Sequence, residues 1–382
     1  MQYRTNKKTG DKVSILGFGC MRFTKDDKNE ICIDLAREQI KAAVKAGVNY
    51  IDTAYVYRGS EKVTGQILFE EGLRDKVFLA TKLPRWSVKK NEDMYRFFAE
   101  QKENLKTDHF DYYLIHNFNE FQDWEFLKTI GVLEFIEEKK RSGEIRRIGF
   151  SYHGGYDEFA KIIADYDWDF TQLQVNYLDE FNQAGVKGVE LAKKHNISVI
   201  IMEPLRGGGL VDKLPKEVYE LFDELNKLTG KKHSPAEWAF KWVWSIDNVL
   251  TALSGMNAIS QVEENVVSAS NFEPLTVLEK NKIKDIQKIL DEKTKIMCTE
   301  CSYCSNCPKG VDIPSVFRNY NDYFLLGEDE KIRSGYKRMI VDAGNGAEKC
   351  IKCGICETKC PQHIEIRKWL DEVNKWYSKS PK

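Results

Sequence analysis

The segment VNYIDTAYVYRGSE, residues 48–61, begins as a run of β-branched and aromatic side chains and ends in charged and hydroxylated ones. Val48 to Ala54 read as a short buried strand, since such runs pack well on a pleated surface. Asp52 falls at the strand's polar end, and Tyr57 follows it. Seven more segments have the same form: LGFGCM (16–21), KVFLATK (76–82), FDYYLIH (110–116), IRRIGFS (145–151), FTQLQVN (170–176), ISVIIMEP (197–204) and VLTALSG (249–255). Amphipathic stretches lie between them, such as DLAREQIKAAVKAG (34–47) and GVLEFIEEKKRSGE (131–144), and both close near Gly as helices often do. Eight β–α units predict an α/β chain folded as a (β/α)8 TIM barrel. A doubly wound sheet is the rival, but no G-x-G-x-x-G opens a helix, and GFGCM matches that pattern only in part.

Reactive groups of such a barrel sit at the C-terminal ends of its strands. Three successive strand ends here are polar: Asp52, Lys82 in VFLATK and His116 in DYYLIH. Together with Tyr57 they suggest carbonyl reduction. Hydride addition to a carbonyl makes an alkoxide, which needs a proton at once. A tyrosine with a pKa of about 10 donates poorly, and a neighbouring ammonium favours the phenolate and lowers that pKa. Asp52 would hold Lys82 charged, and His116 would hydrogen-bond the carbonyl oxygen. Each residue alone has a blander reading, as a cap, a surface charge, a structural histidine or a packing ring. Their convergence at consecutive strand ends favours the chemical one. Trp86, Asn117 and Trp124 fall near the same mouth, where aromatic rings also serve as packing.

Lys and Arg number 58 against 59 Asp and Glu, so neither a nucleic-acid stripe nor an acidic tail is indicated. The first residues contain no apolar signal region, and no apolar run is long enough to span a bilayer, which reads as a soluble cytoplasmic protein without a membrane partner. In a reducing compartment, clustered cysteines bind metal more often than they form disulfides.

Such a cluster fills the end of the chain. After a charged helix candidate over residues 271–297, the tail repeats itself: Cys298, Cys301 and Cys304 recur as Cys350, Cys353 and Cys356, and CPKGVDIP from Cys307 is echoed by CPQHIEIR from Cys360. CIKCGICETKCP has the C-x2-C-x2-C-x3-C-P spacing of iron–sulfur proteins. A third cysteine at that interval is surplus to zinc. The first run is one residue shorter before its last cysteine. In two-cluster ferredoxins the fourth cysteine of a run ligates the other cluster. That scheme assigns Cys298, Cys301, Cys304 and Cys360 to one 4Fe–4S cluster and Cys350, Cys353, Cys356 and Cys307 to a second; one cluster with spare thiols is the alternative. After each Cys-Pro an amphipathic helix is expected, with Val316, Phe317, Tyr320, Tyr323 and Phe324 on one face of the first and Ile366, Trp369, Leu370 and Val373 on one face of the second. Cys20 and Cys32 read as ordinary small hydrophobes. The division is therefore a barrel over residues 1–294 and a small, mainly α-helical, ferredoxin-like iron–sulfur domain over 295–382.

DTAYVYRGSE, ATK and LIHN resemble the signature segments of the aldo-keto reductase superfamily, and the tail resembles its branch with C-terminal iron–sulfur motifs. The resemblance implies an NAD(P)H site. By position, Ser151 and Gln172 would meet the nicotinamide carboxamide. Leu205 and Gly207, in MEPLRGGGL, would follow the pyrophosphate. Ser254, Gly255, Glu264 and Asn265 would embrace the adenosine end. Tyr152 stands where the family usually has Asn, Met202 where a stacking Tyr is common, and Gly255 and Gln261 where cations grip a 2′-phosphate, so NADH against NADPH stays open. The expected function is an oxidoreductase interconverting a carbonyl and an alcohol, its clusters exchanging electrons with a ferredoxin-like or flavin redox partner. Clusters move electrons singly and a hydride carries two, so a flavin go-between is also open. The alternatives are the same enzyme with structural clusters, and a redox sensor or electron carrier on a reductase barrel.

Overall fold

A computed structural model of the chain describes residues 1–212, 214–301, 303–328 and 330–378. By contacts the chain divides into two compact units, Met1–Pro204 with Ala239–Pro274, and Leu205–Trp238 with Leu275–Lys382.

The first unit opens with an antiparallel hairpin of β1 (Tyr3–Thr5) and β2 (Lys12–Ser14), registered Tyr3 to Ser14. Eight strands follow: β3 (Leu16–Gly19), β4 (Tyr50–Asp52), β5 (Phe78–Leu83), β6 (Phe110–Phe118), β7 (Ile145–Tyr152), β8 (Phe170–Gln174), β9 (Ser198–Met202) and β10 (Val249–Ser254). They pair in parallel and in chain order, and β10 returns to β3 to close the barrel. Every one lies on a segment expected from the sequence. The signal is strong because a barrel strand faces core on one side and helices on the other. All nine residues of β6 are buried for that reason.

Alternation along the strands sets the layers. Tyr50, Ala80, Leu114, Phe170 and Ile200 belong to one apolar cluster, which also takes in Val13 from the hairpin. Strand side chains repeat with period two. The next residues of the same parity on β4, β5, β6 and β8 are Asp52, Lys82, His116 and Gln172. A polar ring thus stands one layer above an apolar plug, on the C-terminal side.

The helices Ser60–Glu70 and Asn91–Leu105 pack in close contact at Gly65. A Cβ there would lie 2.4 Å from the carbonyl oxygen of Asn104 and from Cα of Leu105. Backbone cannot yield as a side chain can. Gly65→Ala should therefore cost about 1–3 kcal/mol, read as a lowered denaturant midpoint; an unchanged midpoint would mean that the helices separate freely.

In the second unit, Lys216–Thr229 packs against Val277–Lys293. Ion pairs Lys231–Glu279 at 2.9 Å, Lys282–Glu224 at 2.8 Å and Lys293–Glu217 at 2.9 Å accompany that packing. The expected tail helices appear as Ile313–Leu325 and Ile366–Ser378. Asp312 caps the first, its carboxylate accepting from the Ser315 N–H, and Pro314 stands in the first turn. Val316, Phe317, Tyr320 and Tyr323 are buried together with Ile366, Leu370, Val373 and Trp376. A short helix, Glu330–Tyr336, brings Tyr336 to 5.6 Å from Trp376, ring to ring. The tail thus has an apolar core of its own. Residues 379–382 of the expected tail domain lie outside the described residues.

Candidate active site and iron–sulfur ligands

Lys82 Nζ lies 2.6 Å from Asp52 Oδ1 and donates to the Thr53 carbonyl at 2.7 Å. Both side chains are almost fully enclosed, at 1% and 4% exposure. Removing one partner of such a buried pair costs about 3–5 kcal/mol, because the other charge is left uncompensated. Burial pushes the Asp52 carboxyl up from its ordinary value, against the pull of Lys82 and of the Gln172 amide, which donates to Oδ2 at 3.1 Å.

Tyr57 sits beyond the end of β4 in a turn closed by its own N–H to the Ala54 carbonyl at 3.0 Å. Lys82 Nζ is 5.0 Å from the centre of its ring. The rings of Tyr57 and His116 meet edge to face, 6.0 Å apart at 85°. Trp86, partly exposed, lies 5.3 Å from His116, on the loop that follows β5. Asp52, Tyr57, Lys82 and His116 are therefore neighbours at one rim. Tyr57 is half-buried, the other three buried.

Burial holds the His116 imidazole well below its ordinary pKa of 6.5, and the charges of Lys82 and Arg85 add to this. Arg85 is fixed by the Asn117 carbonyl at 2.9 Å and by Asp123. A neutral histidine keeps one ring N–H to donate and one nitrogen to accept.

The nicotinamide candidates stand as follows. Ser151 Oγ accepts the Asn117 N–H at 2.8 Å. Gln172 lies within β8 and is engaged by Asp52, whereas Gln174 of the same parity ends the strand. Ser254 Oγ accepts from Asn265 Nδ2 at 3.1 Å, so these two meet. Glu264 is exposed. Over Gly255 the space is taken by Arg22, whose Cβ would be 3.2 Å from a Gly255 Cβ. Arg22 also pairs with Glu203 at 3.3 Å. Neither Arg22 nor Glu203 stood out in the sequence; MEP after β9 and the arginine following GFGCM were the signals available. Leu205 and Gly207 belong to the second unit, in a loop where Gly207 has φ +66°. In that unit Arg206 donates to Met297 Sδ at 3.3 Å, next to the first cluster cysteine. Trp124 is fully buried, packs on Trp168 at 5.0 Å and donates to Asp165, which makes it core rather than mouth. Cys20 is buried, and that burial pushes its thiol up to about 12.

The tail cysteines line two cavities. Cys298, Cys301, Cys304 and Cys360 wall one, with Ile313, Pro314, Phe317, Ile364 and Ile366 around them. Cys307, Cys350, Cys353 and Cys356 wall the other. Cys304 and Ile313 reach both, so the cavities share a wall. The repeat extends to the backbone: Glu300 and Lys352 both take left-handed conformations, φ +55° and +57°, and donate their N–H groups to Cys298 and Cys350 Sγ, each at 3.4 Å. Among the described residues no three Cys, His, Asp or Glu side chains converge to hold a single metal ion. A cubane asks for something else, since its ligands surround a volume and each binds a different iron. Burial, then the neighbouring Cys301 and Cys360, pushes the Cys298 thiol up to about 12. Burial, then the charges of Glu357 and Cys350, pushes the Cys356 thiol up to about 11. Thiolates crowded in an apolar wall need a polycation among them, and this donor set fits 4Fe–4S clusters.

A closed eight-stranded barrel thus brings an Asp, a Lys, a Tyr and a His together at one rim. A family model described as the Aldo/keto reductase family matches residues 15–304, and one described as a 4Fe-4S dicluster domain matches residues 297–365. The chain belongs to the aldo/keto reductase family, and its tail matches the 4Fe–4S dicluster model. It is similar to an aldo-keto reductase of Mycobacterium avium, 27% identical over 247 residues that span 64% of this chain and 77% of that one. An aldo-keto reductase structure from Bacillus halodurans, in holo form and 25% identical, aligns with a TM-score of 0.61 over 75% of this chain and 96% of its own. A Klebsiella pneumoniae aldo-keto reductase in complex with NADPH has the same fold, 21% identical, TM-score 0.61, over 75% of this chain and 95% of its own. Among the described residues no helix is long and apolar enough to cross a membrane.

The His116 environment makes a prediction about pH. Unfolding frees the imidazole to bind a proton near pH 6.5 that the folded chain refuses. The unfolded state then binds more protons, so stability falls as pH drops below about 6.5. Denaturation midpoints between pH 7.5 and 5.5 should fall more steeply for the wild type than for His116→Asn; equal slopes would mean that His116 is protonated in the folded chain.

Proposed function

We propose that the chain is an NAD(P)H-dependent oxidoreductase that interconverts a small carbonyl compound and its alcohol. Tyr57 is the proton donor, and the clusters exchange electrons with a redox partner. The division of labour is a catalytic segment over residues 1–294 and an electron-handling segment over 295–382. The observation that carries the reading is the enclosed Asp52–Lys82 pair with its ammonium against the Tyr57 ring.

A bound nicotinamide supplies the hydride. The chain's own residues do the rest. His116, held neutral, donates a hydrogen bond to the carbonyl oxygen and orients it. As negative charge grows on that oxygen, Tyr57 hands over its phenolic proton. The phenolate that remains is stabilised by the Lys82 ammonium, which Asp52 and the Thr53 carbonyl hold in place. Gln172, by donating to Asp52, secures the carboxylate rather than the carboxamide, and Gln174 at the strand end takes the place nearer the mouth. Ser151, Ser254, Gly255, Glu264 and Asn265, with Leu205 and Gly207, remain the proposed cofactor contacts. The Glu203-paired Arg22 beside Gly255 supplies a cation that the sequence pattern lacked.

Tyr57→Phe keeps the ring and removes the proton. It should lower carbonyl turnover by about 10²–10⁴-fold while leaving the visible spectrum of the clusters unchanged. Turnover at the wild-type rate would exclude Tyr57 as donor.

The crossed ligand scheme supports two clusters, with about eight irons per chain. Cys360→Ala should lose the cluster shared with Cys298, Cys301 and Cys304, and Cys307→Ala the other. Iron analysis should read about four per chain in each, with different residual EPR signals. The residual signal of Cys360→Ala should match that of Cys301→Ala; a match with Cys353→Ala instead would mean that each run keeps its own fourth cysteine. The tail's own apolar core around Trp376 weighs against a purely bracing role for the clusters.

A further inference from the structure

The two cysteine cavities differ in their walls. Among the described residues, no charged side chain lines the one of Cys298, Cys301, Cys304 and Cys360. Around the other stand Lys359 and Arg367, together with Ile351 and Ile355. Ile351 is 57% and Ile355 44% exposed, and Cys353 between them is the one exposed cysteine of the chain. Ile351 and Ile355 thus wall the cavity yet keep much of their surface in water.

Once pairs are set aside, positive charge prevails around this apolar spot, with Glu348 the exposed carboxylate that counters it. Arg367 is bound to Glu357 at 2.7 Å, and Lys352 to Asp371 at 2.7 Å. Lys309, Lys349 and Lys359 are exposed, flank the cluster cysteines in sequence, and form no ion pair among the described residues. An apolar centre with a charged rim is the anatomy of a protein interface. Transient redox encounters use small ones, steered by opposite charge.

We propose that this face docks a small acidic protein carrying a one-electron centre, and that the cluster of Cys307, Cys350, Cys353 and Cys356 is the port for its electrons. The proposal rests on the redox reading of the clusters given above. In the step, the reduced carrier loses one electron and the cluster gains one. No bond forms or breaks, and no proton need move. The cluster with the apolar wall lies behind, across Cys304 and Ile313.

The test mixes the full, cluster-loaded chain with a reduced acidic ferredoxin in a stopped-flow instrument and follows cluster bleaching at several salt concentrations. The rate should fall as salt rises. Lys359→Glu and Lys309→Glu should each slow it by about tenfold at low salt and flatten the salt dependence. Ile355→Ser should slow it at every salt concentration. Each variant is accepted only with wild-type EPR signals and iron content. A variant-free arm uses small oxidants on the reduced wild type: hexacyanoferrate(III), an anion, should slow with salt, and hexaammineruthenium(III), a cation, should speed up. A ferredoxin rate indifferent to salt and to both charge reversals overturns the docking face. So does salt-sensitive binding to anionic lipid vesicles, through the same lysines, in place of the ferredoxin effect. Clusters that neither dithionite nor a reduced viologen can reduce overturn the redox reading itself, a separate and recognisable failure.

Discussion

A lysine and an aspartate facing each other inside a barrel, both shut off from water, form the constraint on which the rest of the barrel unit depends. Taking two charges out of water is expensive, and only close contact and added hydrogen bonds recover the cost. Here Asp52 and Lys82 come from adjacent strands, and Thr53 and Gln172 complete their hydrogen bonding. The pair therefore fixes the register of β4 on β5 as well as the charge beside Tyr57. A one-residue slip would send one partner to the helix side. Fold and chemistry share the same side-chain parity.

That parity explains how much could be read in the sequence. All eight barrel strands were legible, because strands buried on both faces are written as dense β-branched and aromatic runs. The Asp52, Tyr57, Lys82 and His116 set was legible because polar residues ending such runs have few structural reasons to be there. The hairpin of β1 and β2 was not. Its three-residue strands surround a polar turn and show no periodicity long enough to register. Gln172 read as a cofactor contact, yet its amide is drawn to Asp52 across the barrel. A run of residues fixes a strand's end only to within a residue or two, and Gln172 and Gln174 share a face. Only three-dimensional closure tells which of them lies deeper. The Arg22–Glu203 pair was hidden for the same reason, since its members are 181 residues apart.

In the tail the cysteines announced themselves, and their repeat gave both expected helices. The linking segment was silent. Tyr336 and Trp376 pack only because the short helix of residues 330–336 folds back, and nothing in its composition marks that return. The apolar centre they build means that the thiol loops are held from outside as well as by what they bind.

The partition formed by Cys304 and Ile313 has a consequence for energetics. Under the two-cluster reading proposed above, the centres would feel each other's charge, and filling one would raise the work of filling its twin. A chain loaded with both would take up its reducing equivalents in two separated steps, in the manner of a capacitor charged in stages. The gap between those steps would report directly on how well that thin wall insulates.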